Sequence, residues 1–121
     1  ADLGKEVLMI DRDSELGGVC LNRGCIPSKA LLHISTVISE VSHLKKAGVL
    51  FGQPIINLEL IRKYKEGIVS RLNSGISQLA KARKIRTLRG TASFLSNSKV
   101  SVKSESEHTV LTFNKCIILY I

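Results

Sequence analysis

Hydrophobic and polar positions change their period along this chain. The first pattern is a continuous apolar run, Val7 to Ile10, stopped by Asp11. Such a run ended by an acid predicts a strand buried on both faces, as in a parallel sheet. The residues before it, "ADLGK", read as the tail of a helix closed by Gly4. From Pro27 the period becomes helical: Leu31, Ile34, Ile38 and Val41 line one face, with proline near the first turn and Gly48 after the last. A second helix is predicted from Asn57, its capping residue, to Arg83, with a stripe of Ile61, Tyr64, Ile68, Leu72, Ile76 and Leu79. It would be about 40 Å long at about 1.5 Å per residue. Gly67 and Gly75 inside it each cost about 1 kcal/mol relative to alanine. From Ile85 the pattern shortens to strands: Thr91 to Leu95, Lys99 to Lys103 and Thr109 to Phe113, separated by turns such as "SNS". "KCIILYI" closes the chain as one more apolar run, in which Cys116 reads as a buried free thiol acting as a small hydrophobe.

The fold class is therefore α/β: a parallel strand, two long helices and a small antiparallel β-meander. A helix leading into a strand that ends in an acid is the second half of a Rossmann-like βαβ unit, in which the acid holds a ribose hydroxyl. The glycine-rich turn of such a unit, roughly 20 residues upstream, would fall before Ala1. The chain is expected to begin inside a fold.

Composition narrows this picture. The 121 residues, 44% apolar, make one domain at most, expected to bury about two thirds of its unfolded surface. No stretch is apolar and uncharged enough to span a bilayer, and the start lacks a signal-peptide pattern, so a cytoplasmic location is expected. The net charge of +8 is compatible with nucleic acid or an acidic partner. It is equally the mark of solvated helix faces, and no aromatic residues are interleaved with the basic ones to stack bases. Neither a nucleic-acid nor a membrane partner is expected.

The chemistry concentrates in "GGVCLNRGCIPSK", residues 17–29. Cytosolic thiols are normally reduced, so a bond between Cys20 and Cys25 would more readily be catalytic than structural. Its ring would gain only about 2 kcal/mol by loop entropy, and Gly24 would provide the positive φ that a tight ring needs. Cys25 lies at the mouth of the first long helix, where the dipole and Lys29, one turn on, favour a thiolate; Cys20 would sit in the preceding loop, open to a substrate thiol. A redox dithiol, two unrelated buried thiols, a structural disulfide and a zinc site all remain open on spacing alone. For zinc, His33, His43 and His108 complete no recognisable set of ligands, and no metal site is assigned.

"GGVCLNRGCIPSKALL", Gly17 to Leu32, resembles the active-site segment of the flavin-dependent pyridine nucleotide–disulfide oxidoreductases. Within them "CLN" and "IPSKALL" are most similar to the branch that oxidises dihydrolipoamide, since glutathione and mercuric reductases usually carry valines at the positions of Leu21 and Ile26. The resemblance implies that residues 1–121 are a partial FAD-binding domain, lacking the upstream glycine motif, the NAD domain and the dimerisation domain. It implies FAD and NAD as cofactors, a homodimer in the complete protein, and the lipoyl domain of 2-oxo acid dehydrogenase complexes as partner. Cys20 would be the interchange thiol and Cys25 the thiolate facing the flavin. Asp11 would hold the adenosine ribose. Arg12, Asp13, Ser14, Glu15, Leu16, Gly17, Gly18 and Val19 would run as a loop beside the FAD, with Cys20 and Lys29 near it and Ala92 touching the adenine end through its main chain. Val19 stands where the family commonly has threonine. Another flavin disulfide reductase, of glutathione or mercuric reductase type, and a non-catalytic basic binding module are the alternatives. The chain alone is expected neither to hold FAD tightly nor to turn over.

Overall fold

The computed structural model describes residues 1–105 and 107–119. It divides into two compact units, one made of Ala1–Gly18 with Ser74–Ile121 and the other of Val19–Asn73.

The first unit holds two sheets. β1 (Leu8–Asp11) pairs in parallel with β2 (Arg86–Arg89), in register from Leu8↔Arg86 to Asp11↔Arg89. The ladder runs past both ends: the Arg86 amide donates to Val7 O at 3.1 Å and the Gly90 amide to Asp11 O at 2.8 Å. β1 lies one residue beyond its expected start. β2 has no hydrophobic signature, because "RTLR" offers one apolar side chain, the half-buried Leu88; it is a strand because β1 offers it an edge. Ahead of β1 there is a turn rather than a helix tail, closed by Gly4 N–H to Ala1 O at 2.9 Å. The second sheet has the order β3-β4-β5, antiparallel, from β3 (Thr91–Ser96), β4 (Lys99–Lys103) and β5 (His108–Thr112). Its buried centre is Val100 and Val102, on one face by the two-residue period of a strand. All three meander strands match expectation closely.

The closing run does not. Among the described residues 115–119 form no strand, and Ile117 is 85% exposed. Cys116, expected to be buried, is exposed. An apolar run becomes a buried strand only where another strand pairs with it, and none of the described residues does so here. Tyr120 and Ile121 lie outside the described residues.

The second unit is helical. α1 (Gly18–Asn22) begins at its boundary, followed by α2 (Cys25–His43) and a 3₁₀ turn, Leu44–Ala47. The turn ends at Gly48 in the left-handed conformation, with Gly48 N–H on Lys45 O and Val49 N–H on Leu44 O, each at 3.1 Å. α3 (Leu58–Ala82) starts here and continues into the first unit. Its cap is the predicted one: Asn57 Oδ1 accepts the Leu60 amide at 3.1 Å. The apolar stripes are only partly covered. Ile34, Val41, Ile61 and Ile68 are half-buried, while Leu31, Ile38, Tyr64 and Leu72 are exposed. Among the described residues the buried apolar side chains are few: Leu21 and Ala30 in the second unit, and Ala80, Val100 and Val102 in the first. Among the described residues no helix is long and apolar enough to cross a membrane.

Candidate functional site

Cys25 is the first residue of α2, and Gly24 is its N-cap without a capping side chain. The Gly24 carbonyl accepts both the Ser28 amide, at 3.1 Å, and the Ser28 hydroxyl, at 2.7 Å. Ahead of it Val19 O accepts the Arg23 amide at 2.8 Å, so the chain from Gly18 is wound as α1. Cys20 thus sits on a short helix and not in a loop as expected, and the expected loop of residues 12–19 gives up Gly18 and Val19 to α1. Two glycines at its start hide this helix from propensity; the burial of Leu21 helps to hold it.

The two thiols are free and exposed, and they lie close enough for the Cys25 side chain to be the leading influence on the Cys20 thiol. Gly24 does not take the positive φ expected: its φ is −123° and its ψ −113°. A Cβ there would lie 3.1 Å from Val19 O and 3.2 Å from the Cys20 Cα, so a methyl group would require α1 to give by a few tenths of an ångström.

The Cys25 side-chain hydrogen bond, chiefly, pushes the Cys20 thiol above its ordinary value; loss of solvent and the Cys25 charge add to this. The Cys25 amide, at the positive end of α2, and the Lys29 ammonium pull the other way. Helix end and lysine therefore both act on the Cys20 sulfur.

Asn73 was missed by periodicity, since it lies off the apolar stripe of α3. It is buried, and its Nδ2 donates to Asn22 Oδ1 at 2.8 Å, while its own Oδ1 has no partner among the described residues. Lone polar residues between apolar positions of a helix are the signal that could have found it.

The remaining predicted residues lie in the first unit. Asp11 ends β1, and its Oδ1 accepts the Asp13 amide at 3.0 Å, turning the chain out of the strand. Gly17 and Gly18 have φ of 110° and 63°, so both backbones run bare through a region that disfavours side chains. Asp11, Asp13, Ser14 and Leu16 line a cavity of about 250 Å³ together with Ser77 and Lys81 of α3 and Thr87 and Arg89 of β2. Arg89 Nε also makes a long contact, 3.4 Å, to Arg12 O. Arg12 and Glu15 are exposed beside the cavity's loop, and Ala92 is exposed on β3, two residues after the Gly90 that bonds Asp11. Lys29 and Val19 are exposed in the helical unit. Several basic residues are engaged within the chain: Lys63 with Glu59 at 2.9 Å, Arg83 with Asp2 at 3.0 Å and Arg86 with Glu6 at 2.8 Å.

Residues 1–118 match the family described as pyridine nucleotide-disulphide oxidoreductase. The chain belongs to that family. As a pyridine nucleotide–disulfide oxidoreductase it is 45% identical over 118 residues to a protein of Vibrio parahaemolyticus named dihydrolipoyl dehydrogenase. Proteins of the same name from Haemophilus influenzae and Buchnera aphidicola of Schizaphis graminum are 45% and 43% identical. Each alignment covers 98% of this chain and 25% of the relative. The chain thus spans about a quarter of the length of these curated relatives. For the flavin such a family uses, the first unit offers a fitting adenosine end: a strand-terminal carboxylate, two bare glycine backbones and a cavity beside them.

Proposed function

We propose that this chain is part of the FAD-binding domain of a dihydrolipoyl dehydrogenase. The complete protein would oxidise protein-bound dihydrolipoamide to lipoamide and reduce NAD, as a homodimer serving the lipoyl domain of 2-oxo acid dehydrogenase complexes. The carrying observation is the pair itself: two free, exposed thiols on adjoining helix ends, Cys25 on the first residue of the long α2 and Cys20 on α1, whose backbone passes close to Gly24. The names of the relatives support the choice of substrate.

In the oxidised pair, a substrate thiolate would attack the Cys20 sulfur and Cys25 would leave as thiolate. The second substrate thiolate would then attack its own sulfur in the mixed disulfide and release Cys20. One disulfide forms on the substrate, one breaks in the protein, and two electrons pass inward. Exposure of Cys20 suits it to the attack. The Cys25 amide and Lys29 stabilise negative charge on the Cys20 sulfur as it is released. Asp11, with Gly17 and Gly18, would hold the adenosine and phosphate end of FAD, and Ala92 its adenine by main-chain contact. FAD, when bound, would take the electron pair from the dithiol and pass it on as hydride to NAD.

The test is the full-length parent assayed with dihydrolipoamide and NAD, with glutathione disulfide and with Hg(II). Turnover of dihydrolipoamide, lost in Cys20→Ser and in Cys25→Ser, is expected. A parent that reduces glutathione disulfide or Hg(II) and leaves dihydrolipoamide untouched belongs to a sister activity.

A further inference from the structure

We propose that Asn73 is a positioning residue for the Cys20–Cys25 couple, fixing the segment between the two sulfurs through Asn22. The proposal rests on reading the two cysteines as an exchanging pair.

Asn22 lies inside the ring that residues 20–25 would close, and its side chain receives the Asn73 Nδ2 hydrogen at 2.8 Å. Asn73 is only 7% exposed, and its Oδ1 has no partner among the described residues. A leucine has nearly the same size, would bury there without an orphaned oxygen, and would cost nothing in polar desolvation. Stability alone gives no reason for an asparagine. Direction does: apolar burial carries no orientation, whereas a hydrogen bond does.

Orientation matters for α1. It spans five residues, too short to persist by its own ladder, so contacts outside it set its rotation, and the bond from Asn73 to Asn22 is one of them. A disulfide demands Cβ atoms about 3.5–4.5 Å apart and a defined torsion, so rotation of α1 decides whether the sulfurs can join. Anchoring Asn22 holds that rotation and lessens the chain freedom lost on closing the ring. Asn73 thereby favours the disulfide over the dithiol, although it touches neither sulfur.

The test is a thiol–disulfide equilibrium in the full chain. The protein disulfide and two glutathione thiols give the protein dithiol and glutathione disulfide; one S–S bond breaks, another forms, and two protons move to the protein. Mixtures of reduced and oxidised glutathione are equilibrated, quenched with a maleimide and read by mass. Asn73→Leu should move the equilibrium about twofold toward the dithiol, part of the roughly fivefold that one whole net hydrogen bond is worth, because the bond is already made while the cysteines are free. Asn73→Met, which fills the site with a more flexible apolar side chain, should fold with a near-native urea midpoint and show the same shift, which a purely structural role would not produce. If the leucine variant does not fold, the methionine variant decides. Native equilibria in the variants overturn the role of Asn73 and leave the functional reading intact. A native chain that forms no bond between positions 20 and 25 overturns both.

Discussion

Adding one methyl group at Gly24 tests how tightly the cysteine pair is held. In Gly24→Ala the new Cβ would meet Val19 O at 3.1 Å and the Cys20 Cα at 3.2 Å. Both neighbours are backbone atoms of α1, so no side chain can swing aside to relieve the contact. The helix must retreat by a few tenths of an ångström, carrying Cys20 with it. Overpacking of this kind costs about 1–3 kcal/mol. The strain weighs more on the closed ring than on the open pair, because only the disulfide fixes the distance between positions 20 and 25. If about 1.4 kcal/mol of it falls on the closed form alone, the disulfide is weakened about tenfold against a glutathione couple. The assay is that equilibrium, read beside urea unfolding of the dithiol form, which separates redox strain from general destabilisation. A Gly24→Ala chain whose disulfide equilibrium stays within about twofold of native, a small fraction of that expected shift, would refute the reasoning: α1 would then have room to absorb the methyl.

Four further outcomes are expected. Cys25→Ala removes the leading cause of the raised Cys20 titration and leaves the amide at position 25 and Lys29, so Cys20 should titrate lower; the pH dependence of its alkylation by iodoacetamide reads this directly. The sign extends to stability. A thiol raised on folding contributes stability that is present below its ordinary value of 9.0 and is lost as pH rises through the folded value, so the native dithiol form should weaken toward urea only above about pH 9. Asn57→Ala should cost about 1 kcal/mol through loss of the α3 cap, seen as a lower urea midpoint by circular dichroism. Asp11→Asn keeps an acceptor for the Asp13 amide and so should leave folding unchanged. In the full-length parent it should weaken FAD about tenfold, read by flavin fluorescence, because the ribose bond loses its charge.

The two long helices and the meander were legible because their evidence is local. The stripe from Ile61 to Leu79 and the cap at Asn57 lie within one segment, and the helix runs Leu58–Ala82 where Asn57–Arg83 was expected. What escaped depends on partners distant in sequence. β2 is a strand only because β1 offers it an edge. α1 is a helix despite two glycines, with Leu21 buried and Asn22 bonded to Asn73. The cysteine motif was legible as chemistry, yet its glycine was expected at positive φ, and the structure gives it a φ of −123° with the backbone of α1 close by. Apolarity misled at Cys116, since a hydrophobic run states a need for cover and does not say where the cover comes from.

The parallel ladder has a consequence for biosynthesis. β1 leaves the ribosome ahead of the residues it pairs with, from Arg86 onward, which follow only after both long helices. At about 5–20 residues per second, β1 waits roughly 4–16 s for them. Throughout that interval Leu8, Met9 and Ile10 travel without their β2 partners, while the helical unit between has every residue it needs to collapse. Nascent chains stalled before Arg86 should accordingly recruit holding chaperones, and chains released beyond Arg89 should shed them.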